Sequence, residues 1–192
     1  MEYKLGNRTL KIVNHCDSES PRNWDNLSSF ILVGSHGPNE TDFEFEGNYE
    51  SRFDFIEQGE QEIRKYFKDV AVCLPVHVYK HSGIAFSTEM SGQFACRWDS
   101  GTAGFIVITK EQIRENWSIK RVTQKHIDHA ERIAKAELET YGNWANGEVY
   151  GFQLEEDGEE IDSCYGFYGY DIKENGILDH VGEEWAEAEE VF

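Results

Sequence analysis

Between Gly104 and Tyr141 the hydrophobic period of the chain switches from strand to helix, and this switch constrains the fold more than any other feature. Gly104-Phe-Ile-Val-Ile-Thr109 is an unbroken apolar run rich in β-branched residues. A strand wetted on one face would alternate, so this run is expected in the middle of a sheet, with both faces covered. Thr109-Lys-Glu-Gln112 then has the form of a capping box, in which the threonine hydroxyl and the glutamine side chain satisfy the free amides of a new helix. A short helix to about Trp117 follows from it. Thr123 caps a longer one to about Tyr141, where Ile127, Ala130, Ala134, Leu138 and Tyr141 recur 3, 4, 4 and 3 residues apart on one face. Gly142, Asn143, Asn146 and Gly147 are expected to end it.

The remaining elements are shorter. Thr9 to His15 and Ser29 to Gly34 read as strands, separated by the turn-forming cluster Ser18 to Asn26. Ile56 to Phe67 carries a helical stripe expected to dock through Ile63, Tyr66 and Phe67. Val70 to Tyr79 is a strand broken by Pro75, which places it at a sheet edge or at a bulge. Ile84 to Thr88 is another strand. Glu148 to Leu154 and Ile161 to Tyr170 form a hairpin about the turn Glu156-Asp157-Gly158-Glu159. Short strands flanking consecutive helices predict an α+β fold: a mostly antiparallel sheet with two or three packed helices in a single domain over 1–192. At this length such a chain buries about 70% of its unfolded surface.

Charge is distributed unevenly over that frame. From Gly151 to Phe192 fourteen carboxylates face Lys173 alone, which supplies −13 of the chain's −19. Glu40 to Glu62 adds nine carboxylates against Arg52. Part of this second block is an acidic loop over 35–50, and an acidic segment closes the chain over 171–192. Lys110 to Lys135 is the one basic stretch, with seven Lys or Arg against four acids. Direct nucleic-acid binding would have to overcome the acidic blocks, so no nucleic-acid partner is expected. The hydrophobic fraction is 39%, with five Trp, nine Tyr and twelve Phe, so the chain is expected to fold rather than remain a disordered acidic polymer. No apolar run approaches the roughly 18 residues that cross a bilayer, and Met1-Glu2-Tyr3-Lys4 does not open a signal peptide. A cytoplasmic protein with no membrane partner is expected.

Few residues invite a chemical role. Cys73, His77 and His81 share strand parity, yet residues four apart on a strand stand about 13 Å from each other, too far to share one ion. His126 and His129 read as a solvated helix face, and Cys16, Cys73, Cys96 and Cys164 as free thiols. No metal and no cofactor is expected. An enzymatic alternative rests on His81, Cys96, Asp99 and Ser100, which cluster in loops after the central strands, where a rigid scaffold holds sites. Gly166 and Gly169 lie among aromatics without a following capped helix or lysine, unlike a phosphate loop.

Trp24-Asp-Asn-Leu27, Tyr79-Lys-His-Ser-Gly83, Cys96-Arg-Trp-Asp-Ser-Gly101 with the apolar strand after it, and Asp162-Ser-Cys-Tyr-Gly-Phe-Tyr-Gly169 together resemble a family of small acidic proteins of phages and other mobile elements. The resemblance spans about residues 20 to 170 and departs at Ser28 to His36, where that family carries a more basic segment. It implies a phage or plasmid setting, in which small acidic proteins block restriction or CRISPR machinery, and it supplies no catalytic residue. Charge and resemblance converge on one expectation: a non-enzymatic inhibitor of a host nucleic-acid-binding defence complex, an anti-CRISPR or anti-restriction protein of the host cytoplasm. It would act by protein–protein binding to a basic surface through Glu155, Glu156, Asp157, Glu159, Glu160, Asp162, Glu183 and Glu184, an array that imitates nucleic acid. The alternative is a small hydrolase or nucleotide-modifying enzyme built on His81, Cys96, Asp99 and Ser100.

Overall fold

The computed structural model describes residues 1–33, 40–42 and 59–191. The acidic loop expected over 35–50 falls outside them except at Glu40, Thr41 and Asp42, as does Ile56 of the expected helical stripe. Among the described residues the protein is α+β, with ten strands in two antiparallel sheets and four helices. The chain divides into two compact units: a terminal unit of Met1–Asn23 with Asn143–Phe192, and a middle unit of Trp24–Gly142.

The middle unit holds β3 (Ser29–Leu32), β4 (Glu40–Thr41), β5 (Val70–Lys80), β6 (Ile84–Ser87) and β7 (Ser100–Thr109), ordered β4-β3-β7-β5-β6. The apolar run lies in β7 at the centre of this sheet, and Phe105 to Ile108 are buried. Alternation along β7 feeds two faces. Phe105 and Val107 pack with Ile31 and with Ile63 of helix α1 (Glu60–Tyr66). On α3 (Gln124–Ala145), Tyr141 meets Phe30 edge-on at 5.5 Å and Phe86 at 5.7 Å. Ile63 is fully buried and Phe67 packs beside it, but Tyr66 is 43% exposed, so α1 docks through two of the three residues its stripe suggested. The capping box forms as read: Thr109 accepts from the Gln112 amide at 3.2 Å and Gln112 accepts from the Thr109 amide at 2.7 Å, opening α2 (Lys110–Asn116).

Of the two readings of Pro75, the bulge holds and the edge does not, because β5 lies between β7 and β6. The proline is tolerated because β6 pairs only with His77 to Lys80, so at Pro75 the strand has one described neighbour. A register shift follows at once, between Val76 and His77. Nor do Gly142 and Asn143 stop α3, which continues to Ala145. The stop is a Schellman motif: Gly147, left-handed at φ 71°, donates to Trp144 O at 2.9 Å, and the Glu148 amide donates to Asn143 O at 2.8 Å.

The terminal unit has β1 (Glu2–Leu5), β2 (Arg8–Asn14), β8 (Val149–Glu156), β9 (Glu159–Tyr168) and β10 (Glu189–Glu190), ordered β10-β1-β2-β8-β9. Leu10, Ile12, Phe152 and Leu154 line one face. Ile177, Leu178 and Val181 of α4 (Ile177–Val181) cover it together with Trp185, which is fully buried. The last acidic segment therefore forms no long terminal helix. It is a short helix, a 3-10 turn over Glu183–Glu187 and an edge strand, held because Trp185 needs burial and β10 finds β1.

Candidate functional site

The eight acidic residues expected to bind a partner lie on the terminal unit's β8–β9 hairpin and on the 3-10 turn after α4. β8 and β9 are joined by Asp157 and Gly158, with φ of 52° and 87°, the conformation that an Asp-Gly turn adopts in a tight hairpin. The Asp157 amide donates to Asn7 O at 3.1 Å, which ties the hairpin tip to the turn between β1 and β2. Next to Asn7 stands Arg8, paired across the sheet with Glu156. Arg8 also reaches Glu184 Oε1 at 3.3 Å, with its guanidinium 5.5 Å from the centre of the Trp185 ring. Arg8 thus ties the Glu183-Glu184 turn to the strand that runs beside Glu156, although these residues are distant in sequence.

Neutralisation there is partial. Lys11 donates to Glu155, and this bond, ahead of the surrounding carboxylates, holds its ammonium above the ordinary lysine range. Glu184 is held below the usual carboxylate range, first by its own backbone amide and then by Arg8. Ser163 donates to Glu160 at 3.0 Å. The carboxylates of Glu156, Asp157, Glu159, Asp162 and Glu183 have no ion-pair or hydrogen-bond partner among the described residues and are exposed to water. Across the hairpin, Glu155 faces Glu160 and Glu156 faces Glu159. Like charges directly opposite on neighbouring strands oppose pairing. All eight expected binding residues thus lie in one unit, six on the hairpin and two on the 3-10 turn. Arg8 and Lys11 were missed by the charge count; their signal was their place on a strand of otherwise core-forming pattern.

The structure brings the residues of the enzymatic alternative near one another. Cys96 Sγ lies 3.8 Å from Asp99 Oδ2, and the Ser100 hydroxyl donates to Gln93 O at 2.7 Å. Lys80, next to His81 in sequence, donates its amide to Asp99 O at 2.8 Å. The His81 ring, however, contacts Tyr79 at 6.3 Å, and no imidazole is hydrogen-bonded to the thiol or to the hydroxyl among the described residues. A histidine base is one common way to activate a thiol or hydroxyl nucleophile. A cleft of 410 Å³ in the same unit is lined by Phe86, Ser87, Thr88, Glu89, Lys135, Leu138 and Glu139, and by none of those four. The histidine pair of α3 is not simply solvated: Trp117 stacks on His129 at 5.0 Å and leans on His126 at 5.9 Å. His126 Nδ1 accepts from the Thr123 amide at 3.1 Å, completing the start of the helix. No group of three or more metal-ligating side chains gathers among the described residues, where the four cysteines are free thiols.

Fold and site define a class: a two-unit α+β protein whose smaller, discontinuous unit carries concentrated negative charge. Compared with known proteins, the chain matches no family model, no curated protein and no solved structure. No helix among the described residues is long and apolar enough to cross a membrane.

Proposed function

We propose that the protein is a phage or mobile-element inhibitor of a host nucleic-acid-binding defence complex, acting by protein–protein contact. The acidic hairpin of the terminal unit would occupy a Lys/Arg-lined groove that otherwise grips nucleic acid. The observation that carries this reading is the like-charge pairing of Glu156 with Glu159, neither of which has an ion-pair or hydrogen-bond partner among the described residues, on a hairpin fixed by its turn and by Asn7. Folding alone does not ask for that arrangement, which costs stability. Surfaces that trade stability for binding carry such costs. Because the carboxylates stand on paired strands, their positions are set before a partner arrives, which lowers the entropy lost on association.

The test is affinity capture from a host lysate at low and high salt, comparing the wild-type chain with a variant in which Glu155, Glu156, Asp157, Glu159 and Glu160 are replaced by Gln or Asn. The expected result is a basic nucleic-acid-binding protein that is released by salt, competed by DNA or RNA, and lost in the variant. Capture that survives the five substitutions would remove the proposal.

A further inference from the structure

The strand that carries the hairpin's second arm is also the outermost strand of its sheet. β9 pairs with β8 along one side, and its other side has no strand among the described residues. Glu159 to Ser163, Tyr165 and Gly166 are exposed, so over most of its 10 residues β9 is covered on neither face. An edge of this length presents a row of free N–H and C=O groups that can pair with another chain. Two register shifts leave Ile161 and Gly166 as the extra residues, and the segment between them, Asp162 to Tyr165, runs in regular pairing with Gly151 to Leu154. Its backbone is therefore extended and in register before any partner arrives.

Charge decides which chain fits. β9 contributes Glu159, Glu160 and Asp162 and no basic residue. A second copy laid antiparallel on the same edge about Ile161 would set Glu160 against Asp162, carboxylate against carboxylate, which opposes pairing. A strand bearing lysine or arginine meets the reverse situation. The 54% exposed Ile161 and 47% exposed Tyr165 give that strand apolar surface beside the charges.

We infer that β9 receives an extended, basic segment of the partner protein as an additional strand, main chain to main chain, with its Lys or Arg side chains opposite Glu159, Glu160 and Asp162. This rests on the acidic-surface reading above and adds the manner of engagement: the partner is recognised by strand addition at an edge, with charge selecting the sequence.

The probe is a labelled peptide of alternating lysine and threonine, as long as the 10 residues of β9, titrated into the full chain beside a peptoid twin that has the same charges and no backbone N–H. The peptide is expected to bind at least about tenfold more tightly than the twin. In its presence, alternate backbone amides between Ile161 and Tyr165 should exchange with solvent more slowly. Equal affinity for the two probes overturns strand addition, and if binding still falls on neutralising Glu156, Asp157 and Glu159, the acidic-surface reading stands without it. Binding indifferent to those three substitutions overturns both. Protection at Glu189 to Val191 in place of β9, or a self-association that the peptide disperses, overturns the choice of edge or of occupant.

Discussion

Gly104 lies where β7 passes β3, and a Cβ built there would stand 1.8 Å from the backbone oxygen of Ile31. A backbone atom in a central strand cannot move aside, so Gly104→Ala is expected to cost more than about 3 kcal/mol and to leave little folded protein, measurable by circular dichroism and solubility. His77 is a subtler case. It is 6% exposed, its Nδ1 has no hydrogen-bond partner among the described residues, and burial pushes its imidazole below the ordinary value. The unfolded chain therefore takes up a proton that the folded chain resists. Stability from the neutral ring is complete above the unfolded value of about 6.5 and declines as pH falls below it. Denaturant unfolding at about pH 8 and about pH 5.5 should show this decline, and His77→Gln should flatten it. Were the slope unchanged in that variant, the acid sensitivity would lie elsewhere.

At the scale of elements, the structure separates glycines that look alike in sequence. Gly142 sits within α3 with only an ordinary 3.5 Å contact to Phe86, whereas Gly147 holds the left-handed position that ends the helix. Gly142→Ala should raise stability by up to about 1 kcal/mol, and Gly147→Ala should lower it by about 1 kcal/mol, read as opposite shifts in the thermal midpoint. Thr109→Ala removes one half of a capping box seen in full and should cost about 1 kcal/mol. These elements also show what was legible beforehand. The capping box, the apolar face of α3 and the Asp-Gly turn are local rules, in which neighbours in sequence satisfy one another's hydrogen bonds, so they could be read directly. That Pro75 sits at a bulge and not at an edge was not legible, because an edge is a property of the partner strand: β6 reaches only to the pair of Ser87 with His77, and no residue near Pro75 encodes that. β1 and β10 were missed for the same reason, since Tyr3 pairs with Glu190 across nearly the whole chain. The acidic patch was legible as composition, but the tie from Arg8 to the Glu183-Glu184 turn depends on such distant pairings.

For the whole molecule, charge and architecture divide together. The terminal unit carries 18 acids against 5 Lys or Arg, and the middle unit 19 against 13, so the smaller unit holds −13 of the −19. Repulsion between exposed carboxylates is screened over about 10 Å at 0.1 M salt. Added sodium chloride should therefore raise the unfolding midpoint of the terminal unit, monitored by exchange of β8 amides, more than that of the middle unit. The double variant Glu156→Gln with Glu159→Gln should reduce that dependence; a rise of equal size in both units would argue against charge concentration as its source.

The pairing of β10 with β1 also imposes an order of events during synthesis. The middle unit is contiguous, so its sheet can form while the ribosome is still at work. The acidic sheet must bring β8 to β2 across the whole middle unit, and its core lacks Trp185 until that residue has emerged. A nascent chain thus displays no finished acidic surface, and only a polypeptide translated through Trp185 can complete one.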